Sequence, residues 1–363
     1  MLSEIGSNFW IAPEDLKQSS SGDIDFTQFG CEGSDYAWFS TGRSAISFVL
    51  DTIELRNPSV KKVAILPPFT CHTVIEPFLE KGYEIHTYHI GRDLSSSAYD
   101  VLEISESFKA GLVLFHKFFG SDTIKDMDTI IPVLREHGIV IIEDCTQCLY
   151  SGFKKTDSDY FVGSIRKWCG VPDGGFAVCR EGIFTDKPIL IDKNLQDAKI
   201  ESSILKYEYL FEGKGEKSVF LNRYREAEDI LDAQNSYFTI SDVSKVIQSK
   251  MDVKQLKFKR RENFAIIAKG LANTKGVGVI FSALANNEVP LYCPILCDDR
   301  QIVQKELVEN SIFAPVVWPK AACCPIVDEE VDYIYNHILC IPIDQRYGVD
   351  DMERVVSVIK SIK

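Results

Sequence analysis

The sequence lacks a long hydrophobic run and a secretory leader. No apolar run approaches the ~20 residues that a membrane helix needs, so no membrane-spanning segment is expected. The first residues, MLSEIGSNFW, contain neither a basic n-region nor an apolar h-region, so no secretory signal is predicted. The sequence therefore predicts a protein that does not have a membrane as its partner.

The sequence also lacks an excess of basic residues. It contains 40 Lys and Arg residues against 53 Asp and Glu residues, a formal net charge of −13. A basic surface is the expected footprint of a nucleic-acid-binding protein, so this balance argues against nucleic acid as a partner. A phosphorylated ligand is still compatible with the acidity, because local amides and a few cations decide such binding.

The cysteines do not form a pattern that predicts disulfides or a metal site. There are 11, an odd number, scattered along the chain and often inside apolar runs. This usage suits reduced thiols, so a cytoplasmic location is expected. Cys145 and Cys148 form a CxxC beside Asp144, but no second pair stands at ligand spacing, so neither a zinc site nor a redox role is expected.

Strand and helix patterns alternate through much of the chain, which predicts an α/β fold with a mostly parallel sheet between helices. The length of 363 residues suits a large domain and a smaller lobe. The predicted divisions are an N-terminal arm over 1–30, a large domain over 31–240 and a small C-terminal α+β domain over 241–363. The Ser19–Gly22 stretch predicts a loop within the arm.

The sequence from 240 to 271 predicts a long helical stretch with few breaks. It contains a charge run, KFKRRE, at 257–262. A charge run on a helix is usually a solvated face, and we interpret this one in that way.

Lys167 occupies an unusual position, in the stretch DYFVGSIRKWCGVPDGGFAV at 159–178. It lies between an aromatic residue, Trp168, and a neighbouring cation, Arg166, and a Gly174-Gly175 turn follows. A lone lysine is most often an exposed loop residue. A lysine amine can also form a Schiff base with an aldehyde, which makes Lys167 a candidate nucleophile.

Asp144 makes the second interpretation of Lys167 stronger. It follows four apolar residues, 139–142, that predict a strand buried on both faces. Ligands of open α/β sheets bind outside the carboxyl ends of the strands, where this carboxylate is predicted to lie. A Schiff-base lysine and a carboxylate at the ring nitrogen are the pair that a pyridoxal phosphate enzyme requires.

A third candidate site is the start of a predicted helix at Thr41-Gly42-Arg43-Ser44, before AISFVL. A helix N-terminus presents unpaired amides and a positive dipole end, so it could bind an anion. The alternative is that Thr41 only caps the helix. The residues alone leave both possibilities open.

Six segments together resemble the DegT/DnrJ/EryC1/StrS family of sugar aminotransferases, which are fold-type I pyridoxal phosphate (PLP) enzymes. They follow the family's order over nearly the whole chain and are STGRSAI (40–46), LPPFTCHT (66–73), FHKFFG (115–120), IIEDCTQC (141–148), the Lys167 segment and IPIDQRYGVDDME (341–353). The resemblance implies a PLP-dependent aminotransferase that works as a homodimer and takes part in polysaccharide biosynthesis.

The resemblance also implies roles for individual residues. Lys167 would attach the cofactor and move a proton during the reaction, and Asp144 would keep its ring nitrogen protonated. Gln147 matches a position near the ring's phenolic oxygen. The other cofactor-binding candidates are Thr41, Gly42, Arg43, Ser44 and Ser164 at the phosphate, and Cys71 or His72 over the ring.

The sequence departs from the family pattern at several of these positions. Family members commonly have a serine five residues before the lysine, where this chain has Val162, and an aromatic residue at the position of Cys71. The arginine that reaches a partner subunit's phosphate is missing near Asn235. A non-catalytic PLP-binding or partner-binding homologue, or a PLP enzyme acting on a different carbonyl substrate, is therefore the alternative.

The substrate expected from the resemblance is a keto sugar linked to a nucleotide, with glutamate as the amino donor. Tyr207, Tyr209, Phe211 and Lys214 could stack on and neutralise a nucleotide diphosphate. The alternative is a surface insertion that packs on its own lobe.

Overall fold

The computed structural model describes residues 4–17, 24, 26–234, 236–324 and 328–362. The strands are, in chain order, β1 Ile5–Gly6, β2 Asp35–Phe39, β3 Val63–Leu66, β4 Glu84–Thr87, β5 Ser96–Ser97, β6 Leu112–His116, β7 Ile124–Lys125, β8 Val140–Asp144, β9 Tyr160–Ser164, β10 Gly175–Cys179, β11 Val277–Val279, β12 Cys293–Cys297, β13 Ile312–Phe313 and β14 Ile338–Ile341.

The helices are α1 Gly42–Arg56, α2 His72–Glu80, α3 Ala98–Ser107, α4 Met127–Glu136, α5 Lys193–Tyr207, α6 Lys217–Asp232, α7 Asp242–Ser249, α8 Val253–Leu271, α9 Arg300–Glu309, α10 Glu329–His337 and α11 Val349–Ser361. A π-helical turn, Glu208–Glu212, continues α5, and short 3₁₀ turns include Thr146–Cys148 and Ile165–Lys167.

By compactness the chain divides into two units. The first unit contains Met1–Ser7, Ile53–Tyr160 and Asp252–Lys363, and the second contains Asn8–Thr52 and Phe161–Met251. The predicted bounds of the arm, the large domain and the small domain follow sequence pattern rather than compactness, and they stay a prediction.

The first unit contains a parallel sheet in the order β8-β6-β3-β4. Strands β6 and β8 begin with apolar runs, 112–115 and 140–142, as parallel strands require when both faces are covered. The register places His116, at the end of β6, beside Asp144, at the end of β8. Polar residues thus collect at the carboxyl edge, and the predicted α/β fold with a mostly parallel sheet is confirmed.

The first unit also holds an antiparallel sheet, β11-β12-β14. Its core combines this sheet with helices α8, α9 and α11 through residues such as Leu271, Ile295, Leu339 and Val355. Strand β1 pairs in parallel with β13, so described residues of the predicted N-terminal arm contribute to a sheet. The α+β character predicted for the C-terminal part of the chain is confirmed.

The second unit is built on strands in the order β2-β10-β9, with β2 and β10 antiparallel. Aromatic side chains fill its core: Phe29 stacks on Phe176 at 5.4 Å between ring centres, and Trp38 meets the edge of the same ring at 5.9 Å. Helices α5 and α6 pack along each other.

The helical stretch predicted for residues 240–271 is confirmed, whereas the solvated face predicted for its charge run is not. The stretch forms two helices, because Ser241 caps α7 and Asp252 caps α8 through side-chain bonds to the backbone amides of Ser244 and Gln255. The charge run is not simply a solvated face, because Arg260 is 1% exposed. Its guanidinium donates to the carbonyl oxygens of Pro290 and Leu291, distant in sequence, and these hydrogen bonds compensate the burial of its charge.

Candidate functional site

The start of α1 is shaped by a hydroxyl cap. Thr41 Oγ1 accepts a hydrogen bond from the Ser44 amide at 3.0 Å and lies 2.9 Å from Ser44 Oγ. Thr41 is therefore the N-cap, as the simpler of the two interpretations predicted. Capping uses the amide of Ser44 and leaves the anion-binding role of this helix end a prediction.

Arg43 points its guanidinium toward the end of another helix of the second unit. Its Nη2 atom lies 3.0 Å from Asp232 Oδ1 and 3.3 Å from the carbonyl oxygen of Leu231. Because a cation near a helix C-terminus is favourable, this contact has a structural explanation. A role for Arg43 at a cofactor phosphate stays a prediction.

The turn that carries Lys167 is fastened to the start of α1. The carbonyl oxygen of Gly174 accepts hydrogen bonds from the Ile165 amide at 3.0 Å and from Ser164 Oγ at 3.2 Å. The Gly174 amide donates to the carbonyl oxygen of Ser40 at 2.9 Å. The structure thus brings Ser164, the Lys167 turn and the residue before Thr41 together, and Lys167 itself is exposed.

Gly175 is required where the turn meets α1. A Cβ atom on Gly175 would lie 2.0 Å from the carbonyl oxygen of Thr41, a contact that no side chain tolerates. The neighbouring Gly174 has φ of +139°, a conformation that favours glycine. The Gly-Gly pair therefore lets the backbone that follows the Lys167 turn approach the start of α1 closely.

Asp173 fastens the other side of the turn to α7. Its carboxylate accepts hydrogen bonds from the amide of Ser241 at 3.1 Å, from Ser241 Oγ at 2.9 Å and from Ser244 Oγ at 2.6 Å. Burial raises the pKa of Asp173 above its usual value. The hydrogen bonds and the nearby Arg166 act to lower the pKa, but burial has the larger effect. The turn is thus held at both ends by buried polar contacts.

Asp144 lies in the first unit, at the end of β8, and is 7% exposed. Its Oδ1 atom accepts a hydrogen bond from the Thr146 amide at 2.8 Å. A buried carboxylate at the carboxyl edge of a parallel sheet is the placement that the sequence predicted. Its pairing with Lys167 at one cofactor ring stays a prediction.

Gln147 is held by residues at the end of β6 and in the turn that follows it. Its Oε1 atom accepts from the Phe119 amide at 3.0 Å, and its Nε2 atom lies 3.1 Å from His116 Nδ1. His116 Nε2 in turn lies 3.1 Å from Thr70 Oγ1. Burial lowers the pKa of His116 to about 3, so the ring is neutral near pH 7 and accepts a hydrogen bond from Gln147.

Cys71 and His72 lie at the start of α2 in the first unit. Cys71 is the N-cap residue, and its sulfur accepts a hydrogen bond from Thr73 Oγ1 at 3.1 Å. The His72 side chain is 46% exposed, and its Nε2 atom lies 4.0 Å from Glu76 Oε1. Which of the two covers a cofactor ring stays a prediction.

Sequence reasoning missed three groups that the structure places near the candidate residues. His116 belongs to the segment FHKFFG, and its position at the end of a buried strand, like that of Asp144, was a usable signal. Asp173 precedes the Gly-Gly pair but shows no sequence sign of its serine partners. Lys199, which pairs with Glu228, lies in a helix with no distinguishing pattern.

The remaining sequence predictions concern absences. All 11 cysteines lie in the described chain and none of them forms a disulfide. Among the described residues, no group of His, Cys, Asp or Glu side chains is arranged to hold a metal ion. No helix within the described ranges is both long enough and apolar enough to cross a membrane. Asn235 and the Ser19–Gly22 stretch lie outside the described residues.

Solved structures share this fold, although no protein-family model and no curated protein sequence matches the chain. PseC of Helicobacter pylori, an aminotransferase of pseudoaminic acid biosynthesis, aligns with a TM-score of 0.70 and 12% identity over 99% of each chain. The putative sugar aminotransferase Spr1654 of Streptococcus pneumoniae, solved in its PLP form, aligns at 0.67 and 14% over 99% of this chain and 98% of its own.

A DegT DnrJ EryC1 StrS aminotransferase from Brucella abortus aligns with a TM-score of 0.63 and 15% identity, over 97% of this chain and 91% of its own. Identities this low establish the fold and leave the activity to be argued from the residues. These neighbours are described as aminotransferases, among them a putative sugar aminotransferase and a DegT DnrJ EryC1 StrS aminotransferase, and this chain has the same fold.

Proposed function

We propose that the protein is a PLP-dependent aminotransferase that transfers an amino group from glutamate to a keto sugar linked to a nucleotide. The observation that carries the proposal is the fastening of the Lys167 turn to the start of α1 through Gly174 and Gly175. This arrangement puts a candidate covalent lysine and a candidate phosphate-binding helix end on adjoining backbone of the second unit.

The residues present fit this cofactor. Amides and hydroxyls of the kind that bind phosphate are offered by Thr41, Gly42, Ser44 and Ser164. Gly175 has no Cβ, so it adds no bulk beside the start of α1. The first unit supplies Asp144 as a buried carboxylate for the ring nitrogen. When bound, PLP supplies an aldehyde for covalent attachment and a ring that accepts electrons from the substrate carbon.

Lys167 would supply the attaching amine and then act as base and acid. With the cofactor bound, the Lys167 amine would take a proton from the carbon that bears the donor's amino group, and it would give a proton to the acceptor carbon in the second half of the reaction. An exposed amine on a fixed turn suits this exchange, since it is accessible to an incoming amine.

Asp144 would hold a positive charge at the ring nitrogen. An opposite charge at close range favours the protonated ring, which is the better electron acceptor. The hydrogen bond from the Thr146 amide holds the Asp144 carboxylate in place at the end of β8. Gln147, held by Phe119 and His116, would hydrogen-bond beside the ring.

The proposed acceptor rests on resemblance to sugar aminotransferases and on the structural neighbours. The segment proposed to stack on a nucleotide includes Tyr207 at the end of α5 and Phe211 in the π-helical turn. Phe211 is 57% exposed. Phe211 contacts both Trp10, at 5.0 Å between ring centres, and Tyr207, at 4.9 Å. These contacts support the alternative of an insertion packed on its own unit as much as a nucleotide platform.

Assembly as a homodimer is part of the proposal, because fold-type I enzymes usually build their sites between two subunits. Sedimentation of the purified chain at micromolar concentration tests this directly. A monomer with full activity would contradict it.

The deciding experiment is to incubate the full chain with PLP, reduce it with borohydride and map the modified lysine by mass spectrometry. We expect visible absorbance before reduction and modification of Lys167. The amine form, prepared with glutamate, should then return to the aldehyde spectrum when mixed with nucleotide-linked 3- or 4-keto sugars. Return only with a free keto acid or small aldehyde would point to a different carbonyl substrate.

A result without attachment at Lys167 would favour a non-catalytic homologue. Cofactor binding that is reversible and leaves every lysine unmodified would support a PLP-binding protein without transamination. Absence of any binding would favour a partner-binding protein with this fold. The mapped lysine therefore separates the proposed enzyme from both alternatives.

A further inference from the structure

A cluster of charged groups lies beside Lys167 in the second unit. Glu228 Oε1 accepts a hydrogen bond from Arg166 Nη2 at 3.2 Å and also contacts Lys199 Nζ. The Lys199 side chain is 4% exposed and that of Arg166 is 17% exposed. Lys199 Nζ also lies 4.2 Å from the centre of the Tyr224 ring, a cation–π contact.

The two partners of Glu228 differ in what they can do. Burial, together with Arg166 and Lys167, lowers the pKa of Lys199 to about 8, although Glu228 raises it. Burial acts to raise the pKa of Glu228, but Arg166 and Lys199 outweigh this effect and lower the pKa to about 2. At pH 7 both groups are therefore charged, and Lys199 lies within electrostatic reach of both Arg166 and Lys167.

The charges of the cluster do not cancel. Two cations, Arg166 and Lys199, share the single carboxylate of Glu228, and Lys167 is a third basic side chain within electrostatic reach of Lys199. The ammonium group of the buried Lys199 offsets the negative charge of Glu228. Asp173 receives hydrogen bonds from Ser241 and Ser244 rather than from Arg166.

Arg166 has unused donors. Within the described residues its hydrogen bond to Glu228 uses Nη2 alone, and a guanidinium carries five N–H donors in a planar fork. This fork matches two oxygens of a carboxylate or a phosphate. A half-buried arginine with surplus charge and open donors, next in sequence to a candidate covalent lysine, is suited to bind an anion.

We propose that Arg166 binds an oxyanion of the substrate that reacts at Lys167, and that Lys199 keeps Arg166 available by balancing the charge of Glu228. The inference rests on the proposed function in one respect, that Lys167 is the reacting residue. The oxyanion is either the carboxylate of an amino-acid donor or the diphosphate of a nucleotide-linked acceptor. Arg166 is thus a specificity-determining residue, and Lys199 is a positioning residue that acts on Arg166 through Glu228.

Binding of small probes to the full chain, measured by calorimetry without added PLP, tests the first part. The probes are L-glutamate for the carboxylate and uridine 5′-diphosphate for the diphosphate. We expect Arg166→Met to weaken binding of one probe about tenfold or more, because the variant loses a charge-assisted, bidentate pair of hydrogen bonds. The matched control is Arg223→Met, since Arg223 pairs with Glu201 and Glu226 at the surface of the same unit.

A double-mutant cycle tests the second part. Lys199→Met should weaken the same probe, because unbalanced Glu228 then neutralises Arg166. Glu228→Gln should leave binding unchanged or tighter, and the double variant should regain the affinity that Lys199→Met loses. A purely structural role predicts that both single variants weaken binding and that the double variant is worse. Lys193→Met, at a 76% exposed position of α5, is the control lysine.

The probe that depends on Arg166 identifies the source of the oxyanion. Loss of L-glutamate binding assigns the donor carboxylate, and loss of uridine 5′-diphosphate binding assigns the acceptor diphosphate. Equal binding in Arg166→Met and Arg223→Met, no binding of either probe to the unsubstituted chain, or an effect on PLP binding alone would overturn the proposal. If Lys199→Met does not fold, as judged by circular dichroism, the arginine comparison still decides.

This test is independent of the proposed catalytic chemistry. Probe binding needs no attached cofactor, whereas borohydride mapping reports only the covalent lysine. Arg166-dependent probe binding without modification of Lys167 would retain the anion site and reject the enzyme. Modification of Lys167 without Arg166-dependent binding would do the reverse.

Discussion

The Gly174 amide donates a hydrogen bond to the carbonyl oxygen of Ser40 at 2.9 Å, 134 residues away in sequence (174 − 40). The same glycine accepts from Ile165 and Ser164, so one residue links the Lys167 turn, the end of β9 and the start of α1. Changes at this junction should therefore affect cofactor binding without touching the cofactor's covalent partner.

Gly175→Ala should disturb that junction. The added methyl group would lie 2.0 Å from the Thr41 carbonyl oxygen, so the backbone at the start of α1 must move. We expect a loss of about 1–3 kcal/mol in the free energy of unfolding, the usual cost of overpacking, together with weaker PLP binding. Urea unfolding and a PLP titration measure the two effects.

The control for this change is Gly278→Ala, where no atom lies within 4 Å of the added carbon. It should leave PLP affinity unchanged. Equal affinities in the two alanine variants would show that the junction does not shape the phosphate-binding region.

Lys167→Ala should abolish covalent attachment of PLP and leave the fold intact. Lys167 is exposed, so its removal leaves no cavity in the core. Borohydride reduction followed by mass spectrometry measures the attachment, and circular dichroism reports the fold. Lys193→Ala, an exposed lysine of the same unit, should retain full labelling at Lys167.

Asp144→Asn should retain bound cofactor but lower the transamination rate by orders of magnitude. The asparagine oxygen can still accept the hydrogen bond from the Thr146 amide, so the local structure is conserved. The negative charge that favours a protonated ring is lost. Single-turnover kinetics with glutamate measure the effect, and a variant with unchanged turnover would rule out this role for Asp144.

Asp344→Asn should lower stability in a pH-dependent way. Arg346 donates to both carboxylate oxygens of Asp344, from Nε at 2.7 Å and from Nη2 at 2.9 Å, and both side chains are buried. Burial acts to raise the pKa of Asp344, but Arg346 and Arg260 lower it below its usual value. We expect a loss of about 3 kcal/mol at pH 7, the cost of breaking a buried pair.

The sign of the pH effect follows from the lowered pKa. The stabilisation by Asp344 is complete above the unfolded-state pKa of about 3.9 and is lost as pH falls through the lower folded-state value. The stability difference between the native chain and Asp344→Asn should therefore shrink in acid, as measured by urea unfolding across that range. Asp197→Asn, whose exposed ion pair with Lys193 is worth little, should show a small difference at every pH.

Local sequence was sufficient for much of the first unit. The aliphatic run before Asp144 predicted a buried parallel strand, and the structure has β8 there with Asp144 at its end. The reason is that a strand covered on both faces needs continuous apolar residues, a requirement that is visible in one segment. The same reasoning failed at Arg260, because burial of a cation depends on carbonyl groups from distant residues.

The sequence by itself determined the α/β class, the strand that ends at Asp144, and the glycine pair that follows the Lys167 turn. Each depends on residues close together in the chain, whose backbone and packing preferences act locally. Only the tertiary structure decided that Asp173 binds Ser241 and Ser244 and that Arg166 and Lys199 share Glu228. The contacts of Asp173 and of Glu228 join residues far apart in sequence, and their geometry follows from how whole helices and strands pack.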